Sequence, residues 1–191
     1  MAEETRWLSP AEQDVWRTFI TMTAALTDGL DRQLQRDAKL PYTYYEILVV
    51  LSETPERALR MSELAGLRGS SRSRLSHAVS RLEEAGWVER RECPTDKRGQ
   101  LAVLTDAGYA ALAAAAPGHV GAVRAALFDR LTPEQVRVLG EISAVVLDGL
   151  DPDKQLPGNR CFGGAAASDD PHTPDPAARP DHGQPEVAGT A

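Results

Sequence analysis

Cysteine is scarce in this sequence, and its scarcity excludes two common ways of stabilising a small domain. The chain of 191 residues has two cysteines, Cys93 and Cys161, without a CxxC spacing and without a histidine close to either. Disulfide frameworks need several cysteines, and zinc sites need Cys and His ligands at short spacings. We therefore expect free thiols in a reducing compartment, no disulfide and no metal site.

Long apolar runs are also lacking. No stretch approaches the roughly 20 apolar residues that a membrane-spanning helix requires, and the N-terminal sequence MAEETRWLSPAEQD is acidic, without the apolar stretch of a signal peptide. The sequence thus predicts a cytoplasmic protein that does not contact a membrane. Aromatic residues make up only 5% of the chain while alanine is abundant, and this composition favours helices over sheets.

Constellations of catalytic residues are missing as well. An enzyme would need a nucleophile with a base, a pair of carboxylates in a pocket or a metal cluster. The four histidines, His77, His119, His172 and His182, are scattered, and no glycine-rich phosphate loop follows a predicted strand. The sequence therefore predicts no catalytic activity and no cofactor.

Charge is distributed unevenly. The formal net charge of −7 argues against a nucleic-acid partner, because phosphate contacts are made by Lys and Arg. Between Arg60 and Leu101, however, there are nine Lys or Arg residues and six Asp or Glu residues, a local surplus of three positive charges. The basic surplus is therefore central and local, as a nucleic-acid-binding segment requires.

The C-terminal segment differs from the rest of the chain. From Asp151 onward it holds seven of the 13 prolines, and seven Asp or Glu against three Lys or Arg. Without a periodic apolar face, such a segment cannot offset the entropy lost on ordering. We predict one folded unit at 1–150 and a disordered acidic tail at 151–191.

Within the folded unit, the periodicity of apolar residues predicts a mostly α fold with a small β-hairpin. Ser9 and Pro10 are typical of a helix start, and the first helix should run to about Arg36. A second helix, apolar nearly all round, should be buried. That second helix is predicted at 43–53, and the further predicted elements are helices at 61–67, 71–84 and 106–115, a hairpin formed by WVERRE and QLAVLT, and a last helix that begins near Thr132. Continuation of the fifth helix past Pro117 with a kink is an open alternative.

The predicted helix at 71–84 has two distinct faces. At about 100° per residue, Leu75, Val79 and Leu82 share one sector that should face a core. The outward and flanking positions carry short hydroxyls, an imidazole and guanidiniums, which can donate to base edges or phosphates: Ser73, Arg74, Ser76, His77, Ser80 and Arg81. An ordinary amphipathic surface helix is the alternative, although its outer face would usually mix Glu and Lys.

The predicted hairpin adds a basic tip. Asp96, Lys97 and Arg98 precede Gly99, and the negative potential of a narrow minor groove attracts an exposed arginine. Asp96 could orient Arg98 by a charge-assisted hydrogen bond. A solvated turn is the alternative, since Asp, Lys and Gly are common in turns.

Taken together, these segments resemble the MarR family of bacterial transcriptional regulators over roughly Trp7 to Leu150. The residues that carry the resemblance are LRMSELA, SRSRLSHAVSRLEEAGWVERRECPTDKRGQLAVLTDAG and the flanking long helices. The resemblance implies a winged helix-turn-helix, with a DNA-binding core at 43–105 and a homodimer held by helices at 9–36 and 106–150. Packing of those helices on each other within one chain is the alternative. The chain departs from the family at Gly66 and Gly69, where relatives usually carry apolar side chains, so we expect a looser turn before the reading helix.

The resemblance also implies double-stranded DNA and a second copy of the chain as partners, with repression the favoured outcome. The expected DNA contacts are Ser71, Arg72, Ser73, Arg74, Ser76, His77, Arg81, Asp96, Lys97 and Arg98. A winged domain that binds protein instead of DNA is the competing hypothesis, for which an acidic or apolar reading face would be expected.

A small-molecule effector is a further expectation from the resemblance. Family members commonly respond to small anionic or aromatic molecules held between the dimer helices and the winged domain, or to oxidation of a cysteine. Trp16, Tyr42, Tyr44 and Tyr45 are candidates to line such a pocket, although aromatic residues at helix junctions more often belong to the core. Nearby cations could favour the thiolate of Cys93, but an inert cysteine is the preferred interpretation.

Overall fold

The computed structural model describes residues 5–67, 72–93 and 96–151, without the side chains of Leu67, Arg72 and residues 96–98. The elements are α1 (Pro10–Ala38), α2 (Tyr42–Ser52), β1 (Ala58–Arg60), α3 (Met61–Leu67), α4 (Arg72–Glu84), β2 (Val88–Cys93), β3 (Asp96–Leu104), α5 (Asp106–Ala126) and α6 (Pro133–Leu150). The predicted tail at 151–191 lies outside the described residues except for Asp151.

Helix α1 begins where its cap residues predicted. The Ser9 hydroxyl accepts a hydrogen bond from the Glu12 amide at 3.3 Å, and the Glu12 carboxylate accepts one from the Ser9 amide at 2.7 Å. This capping box satisfies two amides that the first turn leaves without helical partners. The helix ends at Ala38, two residues later than expected, because Lys39 adopts the left-handed conformation with φ of 54°.

Helix α2 forms the centre of the core. Ile47, Leu48 and Leu51 are completely buried, which confirms the prediction drawn from its uninterrupted apolar run. The helix lacks a side-chain cap of its own. Instead, Asp31 of α1 accepts a hydrogen bond from the Tyr42 amide at 2.8 Å, so α1 fixes the start of α2.

The predicted hairpin is present, and a third strand joins it. The antiparallel sheet has the order β1-β3-β2, with Ala58 opposite Val103 and Val88 opposite Leu104. Strand β1 was missed because three residues are too short to display alternation. Since β1 leads directly into α3, the sheet holds the start of the helix pair.

The junction between the sheet and α5 is tightly closed. Thr105 caps α5 by accepting from the Gly108 amide at 3.0 Å, and its hydroxyl donates to the Gly86 carbonyl at 2.7 Å. A Cβ atom at Gly108 would lie 2.1 Å from the Trp87 carbonyl oxygen. The backbone of α5 therefore approaches the preceding turn so closely that only glycine fits at this position.

Helix α5 is longer than expected, because it continues across Pro117 to Ala126. The segment Asp106–Arg130 is apolar enough, by length and composition alone, to cross a membrane, whereas the sequence had suggested no such run. Its hydropathy comes largely from small residues, mostly alanine, so no conspicuous run of large side chains marks it. In this fold α5 packs against α1 and α2, although only 11% of the apolar window is buried within one chain.

The outer helices leave large apolar surfaces uncovered. Helix α6 has no buried residue, and α1 has only Leu30, Gln33 and Leu34. The exposed large apolar residues of these two helices are Val15, Trp16, Phe19, Ile20, Met22, Val138, Ile142, Val145, Val146 and Leu150. Packing within one chain therefore does not account for these two faces.

Candidate nucleic-acid interface

Helix α4 has the two faces that its sequence predicted. Leu75, Val79 and Leu82 are buried in the core, whereas Arg74 and His77 are exposed. The helix is therefore held by one apolar stripe while a polar stripe faces solvent. This is the geometry that a helix needs to enter a DNA major groove without losing its support.

The exposed face borders an open groove between α2 and α4. Its volume is about 510 Å³, and its lining is formed by Pro41, Thr43, Tyr44, Ser73, Arg74, His77 and Ala78. Hydroxyl, imidazole and guanidinium groups thus line one wall together. The arrangement offers several hydrogen-bond donors and one fixed positive charge to an anionic surface.

Several cations of the basic segment are paired within the protein. Arg81 donates to the Glu84 carboxylate at 2.7 Å, and this hydrogen bond raises the pKa of Arg81. Arg91 pairs with Glu89 of its own strand. These pairs are exposed, and such pairs contribute at most about 1 kcal/mol, so their arginines can exchange a carboxylate for a phosphate.

Arg90 differs from these arginines, and sequence reasoning did not single it out. From β2, its guanidinium donates to the Ser76 carbonyl oxygen at 2.9 Å and to the Ser80 hydroxyl at 3.1 Å. It also pairs with Glu83 at 3.2 Å. These contacts join β2 to α4 and become visible only in the folded structure. The alternation of residues along β2 does not predict which helix packs against that strand.

These contacts change the interpretation of two serines on α4. Ser76, predicted to contact bases, has its carbonyl oxygen and its hydroxyl next to the Arg90 guanidinium, although the residue as a whole is exposed. Ser80, expected on the outward face, is half-buried and accepts from Arg90. The outward face therefore centres on Ser73, Arg74 and His77, with Ser80 facing the sheet.

The remaining expected DNA contacts lie where side chains are not described. Ser71 falls outside the described residues, as do Arg68, Gly69 and Ser70 of the turn before it, and Arg72 opens α4. Asp96, Lys97 and Arg98 open β3, so the backbone places them at the tip of the hairpin. Cys93, at the end of β2, is 5% exposed, whereas a redox-sensor cysteine needs to be accessible to solvent.

The aromatic residues proposed to line one effector pocket are divided between separate places. Tyr44 borders the groove beside α4, whereas Tyr45 lines a second cavity of about 220 Å³ between α2 and α5. Trp16 lines neither and is exposed on α1. Within one chain Tyr44 and Tyr45 therefore line different cavities, because consecutive residues of α2 point in directions about 100° apart, and a pocket shared with Trp16 stays a prediction.

The second cavity contains a half-buried histidine. Its lining is formed by Tyr42, Tyr45, Glu46, Val49, Val50, Glu53 and His119. The His119 ring lies 4.5 Å from the ring of Tyr45, between centroids. Burial lowers the pKa of His119, against the opposing effect of Glu46, so the imidazole tends to stay neutral. Among the described residues, no group of three or more His, Cys, Asp or Glu side chains could hold a metal ion.

Comparisons with known proteins agree with this geometry. The model of the MarR family matches residues 38–99. Sco3205, a MarR family transcriptional regulator of Streptomyces coelicolor crystallised in complex with DNA, is 60% identical, with a TM-score of 0.75, over 78% of this chain and 94% of its own. AbsC, another MarR family transcriptional regulator of Streptomyces coelicolor, is 40% identical, with a TM-score of 0.72, over 78% of this chain and 99% of its own.

A curated relative is more distant. The transcriptional repressor MprA of Escherichia coli K12 is 27% identical over 139 residues, which are 73% of this chain and 78% of the repressor. The winged helix-turn-helix predicted from the sequence is confirmed by the structural neighbours. Because the similarity to Sco3205 spans nearly all of that regulator, the chain belongs to the MarR family of transcriptional regulators.

Proposed function

We propose that this protein regulates transcription by binding double-stranded DNA, with α4 in the major groove and the β2–β3 hairpin beside it. The observation that carries the proposal is the outward face of Ser73, Arg74 and His77 on a helix anchored by buried leucines and valine. The DNA complex of the 60% identical Sco3205 supports it. Repression is the favoured outcome, in line with the name of MprA.

The contacts would divide into two kinds. Arg74 and Arg81 would bind phosphates, which supplies affinity but carries no sequence information. Ser73, His77 and the hydroxyl of Ser76 would donate to base edges, and Arg98 would enter the minor groove. Because Ser80 is half-buried and Arg81 lies at the end of the helix next to Glu84, we expect affinity to depend most on Arg74, which is exposed on the described reading face.

The active form would be a homodimer held by α1, α5 and α6. Monomeric proteins rarely leave apolar stripes of this extent in water, and a two-fold axis would place the same stripes of two chains against each other. Such a dimer presents two α4 helices, so its operator should be a pseudo-palindrome with half-site centres about 10 base pairs apart.

Relatives of this chain are transcriptional regulators, and two further proposals concern catalysis and location. We infer that the protein has no catalytic activity, because its relatives are transcriptional regulators and the groove that Ser73 and His77 share belongs to the proposed DNA-binding face. We also infer a cytoplasmic location, where operator DNA and reduced cysteines would both be found.

Footprinting of the purified protein on the DNA upstream of its own gene tests the main proposal. Protection of a pseudo-palindrome, with affinity that falls steeply as salt rises, would support it. Protection of no site would overturn it and favour the alternative of a winged module that binds protein. A pull-down with a random-sequence duplex of equal length is the control, because a local cluster of basic side chains binds DNA of any sequence.

The effector site that best fits this chain is the cavity beside His119. Its volume of about 220 Å³ suits a small aromatic molecule, and two tyrosine rings can stack on such a ligand. With Glu46 and Glu53 on its wall and a mostly neutral imidazole, the cavity should prefer neutral or cationic ligands over anions. Thermal-shift measurements with benzylamine and benzoate test this preference, and stronger stabilisation by benzoate would contradict it.

A further inference from the structure

Arg90 of β2 joins the wing, which is the β2–β3 hairpin, to the reading helix α4 through a charged side chain with several partners. Its side chain is 24% exposed, and that of its partner Glu83 is 30% exposed. The guanidinium contacts the Ser76 carbonyl oxygen, the Ser80 hydroxyl and the Glu83 carboxylate. In addition, the Arg90 amide donates to Glu83 at 3.1 Å. Main chain and side chain of one residue thus both bind α4.

The partners of Arg90 form a third stripe on α4. Ser76, Ser80 and Glu83 follow each other at spacings of four and three residues, so they lie on one side of the helix. This stripe separates the buried face of Leu75 and Val79 from the exposed face that contains His77. A contact at this position adds a directional restraint on rotation of α4 about its own axis to the restraint that the packed apolar stripe provides.

The segment before α4 includes two glycines. Gly66 and Gly69 stand before the helix, and glycine contributes no side chain to packing. The contacts with Arg90 are directional, and they join α4 to another element, β2. The rotation of the helix in the groove decides which of its side chains meet base edges.

We propose that Arg90 is a positioning residue that sets the rotation of α4 relative to the wing, and thereby the sequence specificity of DNA binding. This inference rests on the proposed function. The charge of Arg90 is matched by Glu83 inside the protein, so Arg90 contributes specificity without contacting phosphate. Arg74, by contrast, contributes affinity without specificity.

The test compares Arg90→Gln with Arg91→Gln, which removes the same charge from the neighbouring position of β2. Arg91 is a matched control because its partner, Glu89, lies on its own strand. Binding is measured by fluorescence anisotropy on the operator found by footprinting and on a scrambled duplex, each over a range of salt concentrations. Arg74→Ala serves as the reference for a lost phosphate contact.

For Arg90→Gln, the ratio of affinities for operator and scrambled DNA should fall about tenfold or more. The slope of log affinity against log salt should stay at the value of the unmodified protein. For Arg74→Ala the slope should fall by roughly 0.9 per lost phosphate contact, and for Arg91→Gln the specificity ratio should not change. Arg90→Lys should not restore specificity, because an ammonium cannot span the three partners of a planar guanidinium.

A reduced salt slope in Arg90→Gln with an unchanged specificity ratio would overturn the inference, since it would make Arg90 a phosphate contact. Equal behaviour of Arg90→Gln and Arg91→Gln would overturn it too. If Arg90→Gln does not fold, Ser80→Ala, which removes one partner, must lower the specificity ratio, and an unchanged ratio there refutes the inference. Absence of any operator preference in the unmodified protein would instead refute the proposed function.

Discussion

Replacing Gly108 with alanine should destabilise the fold although alanine is the better helix former. Gly108 lies in the first turn of α5, where an added Cβ would meet the Trp87 carbonyl oxygen at 2.1 Å and the Leu104 side chain at 2.8 Å. The first of these is a backbone atom that cannot rotate away. The start of α5 must therefore move away from the turn that precedes β2.

The magnitude follows from what that movement breaks. An ordinary contact begins near 3.4 Å, so the chain must open by more than 1 Å. This strains the bonds from the Thr105 amide to the Trp87 carbonyl, at 3.0 Å, and from the Thr105 hydroxyl to the Gly86 carbonyl, at 2.7 Å. Two weakened hydrogen bonds cost about 1 kcal/mol each, and overpacking costs about 1–3 kcal/mol. The helix propensity of alanine returns about 1 kcal/mol, which leaves a net loss of roughly 2–4 kcal/mol.

Chemical denaturation followed by circular dichroism measures this loss, at a fixed protein concentration because dimerisation shifts apparent stability. The melting temperature should fall by roughly 5–15 °C for a chain of this size. Gly121→Ala is the control, since a Cβ at that exposed helical glycine meets nothing within 4 Å. A Gly108→Ala protein as stable as the control would show that the close approach between α5 and Trp87 does not exist.

Four further outcomes are expected. Val145→Glu should convert the dimer to monomer in analytical ultracentrifugation, since Val145 is 76% exposed in one chain, and an unchanged dimer would exclude the α6 face from the interface. Burial lowers the pKa of His119 below 6.5, so the imidazole binds a proton more tightly in the unfolded chain than in the folded one. The free energy of unfolding should therefore fall as pH decreases from about 7 through the lowered pKa. His119→Phe should lessen this fall. Arg98→Ala should weaken DNA binding and reduce the slope of log affinity against log salt by roughly 0.9 per lost phosphate contact. An unchanged slope would show that Arg98 does not contact the DNA. Deletion of 152–191 should leave the melting temperature unchanged, and a large decrease would refute a disordered tail.

The sequence predicted correctly those features of the fold that depend on residues close to each other in the chain. The helix start at Ser9 and Pro10 and the apolar run of α2 depend on neighbours in the chain, and both were identified correctly. The apolar stripe of α4 was also predicted, because the period of a helix is fixed. These three signals are enough to identify a helix that exposes a polar face next to a hairpin.

The rest could not be read from the sequence because it depends on which elements meet. Strand β1 exists only through pairing with β3, and three residues show no pattern by themselves. Tyr44 and Tyr45 are adjacent in sequence, yet they line different cavities on two sides of α2. Pro117 left open whether the helix ends there or continues, and α5 continues to Ala126 and packs against α1 and α2.

Arg90 shows why counting charges is a weak guide to an interface. It is one of the nine basic residues that gave the central segment its positive surplus, yet Glu83 neutralises it inside the fold. Arg74 contributes the same formal charge and is exposed beside His77. Two arginines that count equally in the net charge therefore have different proposed roles. Arg90 sets the rotation of α4, and Arg74 attracts phosphate. Only measurements that separate specificity from salt dependence can distinguish them.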